Sequence, residues 1–267
     1  MSSNHTMNLS LLNKKALVCG STQGIGKAVA VELALLGANI TLLARNEEKL
    51  QATLTELDST QGQKHDYLVA DFADTEGLKT LAANSIATAN YSILVNNTGG
   101  PAAGLAKDAK VEDFLSAFNN HLVANHILTQ AVIEGMKAAA FGRIINIIST
   151  SVKQPIPGLG VSNTIRAAVG NWAKTLAGEL GPMGITVNNV LPGATDTQRL
   201  RSIITNSAGK KSTSEDEVRQ HMVDEIPARR FAQPEEVAAA VAFLASPAAS
   251  YINGINLPVD GGRTGNL

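Results

Sequence analysis

Short apolar runs recur along the chain at 16–19, 39–43, 67–70, 92–95, 143–148, 185–190 and 253–259, and each predicts a strand. Between them lie longer stretches with apolar residues three or four apart, predicting helices over 26–36, 47–58, 75–88, 112–139, 161–180 and 234–244. Most of the strand runs are nearly continuous in apolar character, as strands covered on both faces must be. Their regular exchange with helices predicts an α/β fold built on one doubly wound parallel sheet with helices on both faces. Gly37 stands where the first helix should stop, and Pro234 where the last should begin.

No internal repeat or linker-like shift divides the chain. The expected organisation is an N-terminal tail over 1–13 and a single domain over 14–267. The segment 205–220 is polar, rich in Lys, Ser and Glu, and is expected to be a solvated surface loop. The competing reading makes 198–225 a mobile lid beside a substrate cleft.

Composition narrows the function classes. Hydrophobic residues at 44% against 17% charged allow a sizeable core and exclude compositional disorder. With 22 basic and 23 acidic residues the formal charge is −1, which argues against a nucleic-acid partner that needs a basic surface. No apolar run reaches the ~18 residues that a membrane span requires, and the polar opening lacks the apolar core of a secretory signal. Cys19 is the single cysteine, so an internal disulfide and a cysteine metal cluster are excluded. His65, His126 and His221 show no metal-ligand spacing, and no metal is expected. A cytoplasmic, non-membrane protein is the expectation.

The segment Gly20, Ser21, Thr22, Gln23, Gly24, Ile25, Gly26 joins the first strand to the first helix. Glycines there permit a tight turn and close backbone approach to a pyrophosphate, while free N–H groups at the helix start favour anions. That placement makes the fold Rossmann-type. After the second strand come Ala44, Arg45 and Asn46, with no carboxylate before Glu47. A ribose-binding acid is therefore missing, and Arg45 suits a 2′-phosphate, so NADP(H) is favoured over NAD(H).

These residues carry a resemblance. With Asp71 after the third strand, Asn96-Asn97-Thr98-Gly99 after the fourth, Pro192-Gly193 and Thr197, and Val259-Asp260-Gly261-Gly262 near the end, the chain resembles the short-chain dehydrogenase/reductase family. It is most similar to the bacterial 3-oxoacyl-(acyl carrier protein) reductase-like members, from about Lys15 to Gly262. The resemblance implies that Gly20 to Gly26 hold the pyrophosphate and that Asp71 and Phe72 contact the adenine. It places Asn97 and Gly99 beside the adenosine, and Pro192, Gly193, Thr195 and Thr197 beside the nicotinamide. It implies a homo-oligomer, commonly a tetramer, and a small carbonyl or alcohol substrate or an acyl thioester.

The family's active site is an Asn-Ser-Tyr-Lys tetrad, and here the chain departs. Ser149 fits the serine, but Ser162 stands at the tyrosine position and Arg166 at the lysine position, while alignment places His121 at the asparagine. A serine hydroxyl stops roughly 4 Å short of a tyrosine oxygen, about three C–C bond lengths. Ser162 therefore cannot reach the usual carbonyl directly, though one water could bridge. Arg166 retains a charge for ribose hydroxyls but cannot relay protons. His121 is the one side chain aligned here whose ordinary titration falls near neutrality, although a histidine on a buried helix is more often a hydrogen-bonded structural residue. Two readings follow: an NADP(H)-dependent oxidoreductase with an altered proton path through Ser149, Ser162, Arg166 and His121, or an NADP(H)-binding sensor or partner subunit with weak or no catalysis.

Overall fold

A computed structural model describes residues 7–266. Seven strands form one sheet in the order β3-β2-β1-β4-β5-β6-β7, every neighbouring pair parallel. They are β1 (Lys15–Cys19), β2 (Asn39–Ala44), β3 (Asp66–Val69), β4 (Ile93–Asn96), β5 (Gly142–Ile147), β6 (Ile185–Pro192) and β7 (Asn256–Val259). The order reverses between β1 and β4, which opens a crevice at their carboxyl ends.

Two apolar layers cover the sheet. On one face Val29 and Leu33 of α1 (Gly24–Leu35) and Leu50 of α2 (Glu47–Leu54) pack with Val237 and Val241 of α9 (Pro234–Ala245). On the other, Leu78 of α3 (Thr75–Leu81), Leu128 and Val132 of α5 (Ala124–Ala138) and Leu176 of α6 (Gly160–Leu180) form the second layer. Helix α1 stops as expected at Gly37, whose φ of +95° favours glycine. Pro234 opens α9 with a reciprocal cap between Gln233 and Glu236. Among the described residues no helix is long and apolar enough to cross a membrane.

A file of asparagines crosses the sheet. Asn96 Nδ2 donates to Asn146 Oδ1, Asn146 Nδ2 to Asn189 Oδ1, and Asn189 Nδ2 to Asn256 Oδ1, at 2.8–2.9 Å. Each pair is also a register pair of adjacent strands. A one-residue slip would separate them all, so the file pins the register beside the crevice.

Four expectations need correction. The segment 205–220 is not a loop: α7 (Gln198–Lys211) and α8 (Glu215–Asp224) occupy most of it. Thr197 and Ser214 cap the two helices, and Leu200, Ile204, Ala208 and Val218 close a small core with Ile226 and Phe231. One apolar residue per turn sufficed, because the helices pack on each other rather than on the sheet. The helix over 112–139 is interrupted by a π turn, Asn119–Val123, between α4 (Val111–Phe118) and α5. The final strand begins at Asn256, not 253. Residues 1–6 of the expected tail lie outside the described residues, but Leu11 is fully buried and its N–H donates to the Leu36 carbonyl at 2.8 Å.

Candidate active site

The turn after β1 is folded on itself without room for side chains. A Cβ on Gly26 would stand 2.2 Å from the Gly20 carbonyl oxygen, and one on Gly20 would stand 2.6 Å from that of Asn97. Gly20 and Gly24 hold φ of +58° and +52°. Asn97 Nδ2 donates to the carbonyls of Cys19 and Gly20, tying β4 to this turn. Gln23 makes no side-chain cap on α1, so the first N–H groups of Gly24, Ile25 and Gly26 remain open to an anion. These features fit a dinucleotide pyrophosphate. The Ser21 side chain faces inward, where its Oγ accepts from Leu43 N–H at 3.1 Å; Thr22 and exposed Gln23 flank the turn.

Arg45 projects from the end of β2, its side chain 74% exposed, and approaches Asp71 at 3.7 Å. Asp71 also accepts from Ala73 N–H, and Phe72 packs at the edge of the second apolar layer. Glu47, the next carboxylate along the chain, is bonded by the Tyr67 hydroxyl. Burial pushes the Cys19 thiol up to about 12, leaving it an uncharged core group.

At the carboxyl ends of β4 and β5 two of the three substituted residues, His121 and Arg166, meet at Thr98. The π turn carries His121 onto the buried side, only 2% exposed, and its Nδ1 bonds Thr98 Oγ1. Such insertions often re-aim a residue at a functional site. Arg166 Nη1 donates to the Ile147 carbonyl at 3.0 Å and its Nη2 to the Thr98 carbonyl at 3.4 Å. Ser149 Oγ accepts from Ser151 N–H, which leaves its own proton free to donate. Ser162, half-buried, lies one turn before Arg166 on α6.

Electrostatics decide between the two readings of His121 in favour of the buried structural residue. His121 does not titrate near neutrality: burial, and then the Arg166 charge, lower its pKa to about 3. It is a neutral hydrogen-bonding group and cannot serve as an imidazolium acid. Burial, and then the charge of Arg199, bring the Arg166 guanidinium down to about 10, so it stays cationic.

On the far wall, Gly193 N–H donates to the Val259 carbonyl, and Thr195 and Thr197 lead from Pro192 into α7. The Thr197 methyl group would meet a Cβ on Gly24 at 3.1 Å, which places this wall against the glycine turn. Exposed Gly99 borders a cavity of about 360 Å³ whose lining includes Gly100, Pro101, Asn120, His121 and Val161. Sequence reasoning missed Thr98 as the common partner, although it lies within a motif already singled out. It also missed Arg199, whose Nη2 donates to the Pro101 carbonyl across 98 positions of chain; no local signal marks that contact.

A glycine cradle at the switch point of a doubly wound sheet, with donors gathered at its carboxyl edge, defines an α/β architecture of the dinucleotide-binding class. The family model described as enoyl-(acyl carrier protein) reductase matches residues 20–264. The chain is 35% identical over 250 residues to the 3-oxoacyl-(acyl-carrier-protein) reductase of Haemophilus influenzae, covering 93% of this chain and 97% of that protein. It is 30% identical over 251 residues to an NADPH-dependent reductase of Bacillus subtilis, covering 93% and 97%. The solved L-sorbose reductase of Gluconobacter frateurii, complexed with NADPH and L-sorbose, superposes with a TM-score of 0.90 at 30% identity over 98% of this chain and 100% of that one. The chain belongs to the short-chain dehydrogenase/reductase family and resembles its 3-oxoacyl-(acyl carrier protein) reductases.

Proposed function

We propose that this protein is an NADP(H)-dependent oxidoreductase that interconverts a carbonyl and an alcohol through an altered proton path. The observation that carries the reading is the anion cradle of Gly20, Gly24 and Gly26, open at the start of α1, with Arg45 free of any carboxylate closer than 3.7 Å. Relatives named as NADPH-dependent reductases, and a neighbour solved with NADPH, support the same cofactor.

When bound, NADPH supplies the hydride that the carbonyl carbon accepts. The chain's part is to hold the carbonyl and furnish the proton its oxygen takes up. Ser149, with its lone pair engaged by Ser151 N–H, donates to the carbonyl oxygen. Ser162 is too short to reach that oxygen; a water held between Ser149 and Ser162 would pass it a proton and be reprotonated from bulk solvent, or a substrate group would supply the proton. Arg166, fixed by the Ile147 and Thr98 carbonyls, would hold the ribose hydroxyls of the cofactor in place of lysine. His121 orients Thr98 and stays neutral.

The lack of a phenolic or imidazolium acid favours a second reading, a cofactor-binding sensor or partner subunit with little turnover. General acid–base help is typically worth ~10²–10⁴ in rate. The apolar residues Leu105, Val111, Leu115 and Phe118, exposed ahead of α4 and along it, support a homo-oligomer, for which we propose a tetramer. Calorimetric titration with NADPH and NADH, followed by NADPH oxidation against a panel of ketones, aldehydes and acyl thioesters, tests both readings. Tight NADPH binding with turnover supports the oxidoreductase, and binding without turnover supports the sensor. Folded protein that binds neither nucleotide overturns both.

A further inference from the structure

Arg166 is 7% exposed, yet it meets no carboxylate among the described residues; its hydrogen-bond partners are two carbonyls. Burying an unpaired cation is costly, and a second cation beside it adds to the cost. Arg199, from the first turn of α7, supplies that second cation. A Cβ built on Gly100 would lie 3.5 Å from Arg199 Nη2 and 3.8 Å from Arg166 Nη2, so both guanidiniums border the space a side chain there would fill.

Nearby carboxylates are committed elsewhere. Asp196 bonds Arg201, Asp108 bonds Lys107, and Asp113 accepts from Lys110 N–H at the head of α4. Several other arginines have partners of their own. Arg230 and Arg263 carry the carboxylates of Glu236 and Glu225, and buried Arg143 stacks on the Phe141 ring at 4.1 Å. The pair at Gly100 is thus a cationic fork, held by backbone carbonyls and bonded to no carboxylate among the described residues, beside the cavity that Gly100 and His121 line.

We propose that the carbonyl substrate carries a carboxylate, which Arg166 and Arg199 hold between them over Gly100. This rests on the reading of the site as a carbonyl-reducing centre and narrows it to oxo acids. Guanidinium groups match carboxylate geometry through paired N–H donors, and desolvation at Arg166 strengthens the contact. Gly100 leaves the required space, and Arg199 closes the fork from the α7 side, making it the residue that sets specificity.

The test uses oxamate and its neutral ethyl ester as probes, titrated calorimetrically into the full-length protein with and without saturating NADP⁺. Oxamate is expected to bind at least tenfold tighter than the ester. Arg199→Ala, at an exposed position, is expected to lower that preference ten- to a hundredfold, and Arg199→Lys to restore part of it. Equal binding of acid and ester, no binding of either, or a preference unchanged by Arg199→Ala would overturn the proposal. So would a loss of NADPH affinity in Arg199→Ala as large as the loss for oxamate, which would assign Arg199 to the cofactor. Because oxamate is also titrated without nucleotide, failure of NADP(H) binding is seen separately from failure of the fork.

Discussion

Asn146 Nδ2 donates to Asn189 Oδ1 at 2.9 Å in the middle of the sheet, where both side chains are 3% exposed or less. Asn146 also accepts from Asn96, so one amide satisfies two neighbours. Asn146→Ala is expected to strand a donor and an acceptor. Each unsatisfied buried group costs about 1–3 kcal/mol, so the expected loss in urea unfolding is roughly 2–6 kcal/mol. Asn146→Asp keeps the acceptor but places an anion among amides, and should be at least as disruptive at neutral pH. Unchanged stability in Asn146→Ala would show that the amide file contributes nothing net.

The buried His121 makes stability depend on acid. Its pKa is about 3 in the fold against an ordinary 6.5, so the unfolded chain binds more protons between those values. Its contribution is full above about pH 6.5 and declines as pH falls toward 3. Lowering the pH from 7.5 to 5.5 should cost about 1 kcal/mol through this residue. His121→Gln, measured by chemical denaturation at both pH values, should show a correspondingly flatter dependence. The same depression predicts that no rate profile near neutrality carries a His121 titration; an inflection near pH 6.5 abolished in His121→Gln would contradict it.

The strand pattern was legible because parallel strands covered on both faces leave short, largely apolar runs, unbroken at 16–19 and 93–95. The glycine turn was legible because its spacing between a strand and a helix is itself the functional geometry. Helices α7 and α8 were not, since a stripe of Leu200, Ile204, Ala208 and Val218 is thin against their Lys, Ser and Glu content. The π turn is a shift in backbone hydrogen bonding that side-chain periodicity does not record. The contact of Arg199 with Pro101 is purely tertiary, and so was the depression of His121, which depends on burial beside Arg166.

Gly26→Ala tests the cradle directly. The new methyl group would meet the Gly20 carbonyl oxygen, within the turn itself, at 2.2 Å and Asn97 Nδ2, which ties the turn to β4, at 2.6 Å. Backbone must shift to relieve a contact this short, and overpacking of this kind costs typically about 1–3 kcal/mol. The expected result is folded protein with a lowered melting temperature and at least a hundredfold weaker NADPH binding. Gly178→Ala, within α6 and away from the turn, is the control, because a Cβ there meets nothing within 4 Å. If Gly26→Ala bound NADPH normally, the turn would not be the pyrophosphate site.

The charge at Arg45 should decide which nicotinamide nucleotide binds. Its side chain is 74% exposed, and its nearest acid, Asp71, stands 3.7 Å away, a separation too long for a direct hydrogen bond. The guanidinium is therefore available to a 2′-phosphate, for which a charge-assisted contact adds about 1.5–3 kcal/mol. Arg45→Ala should weaken NADPH by roughly ten- to a hundredfold while NADH, which lacks that phosphate, changes little. Arg45→Asp should go further, repelling the phosphate and offering an acceptor to the ribose hydroxyls, so that NADH becomes preferred. Titrations at two ionic strengths separate direct contact from general attraction, because only the latter fades strongly with salt. If Arg45→Ala lowered both nucleotides equally, Arg45 would be holding the adenosine end as a whole and the 2′-phosphate assignment would fail.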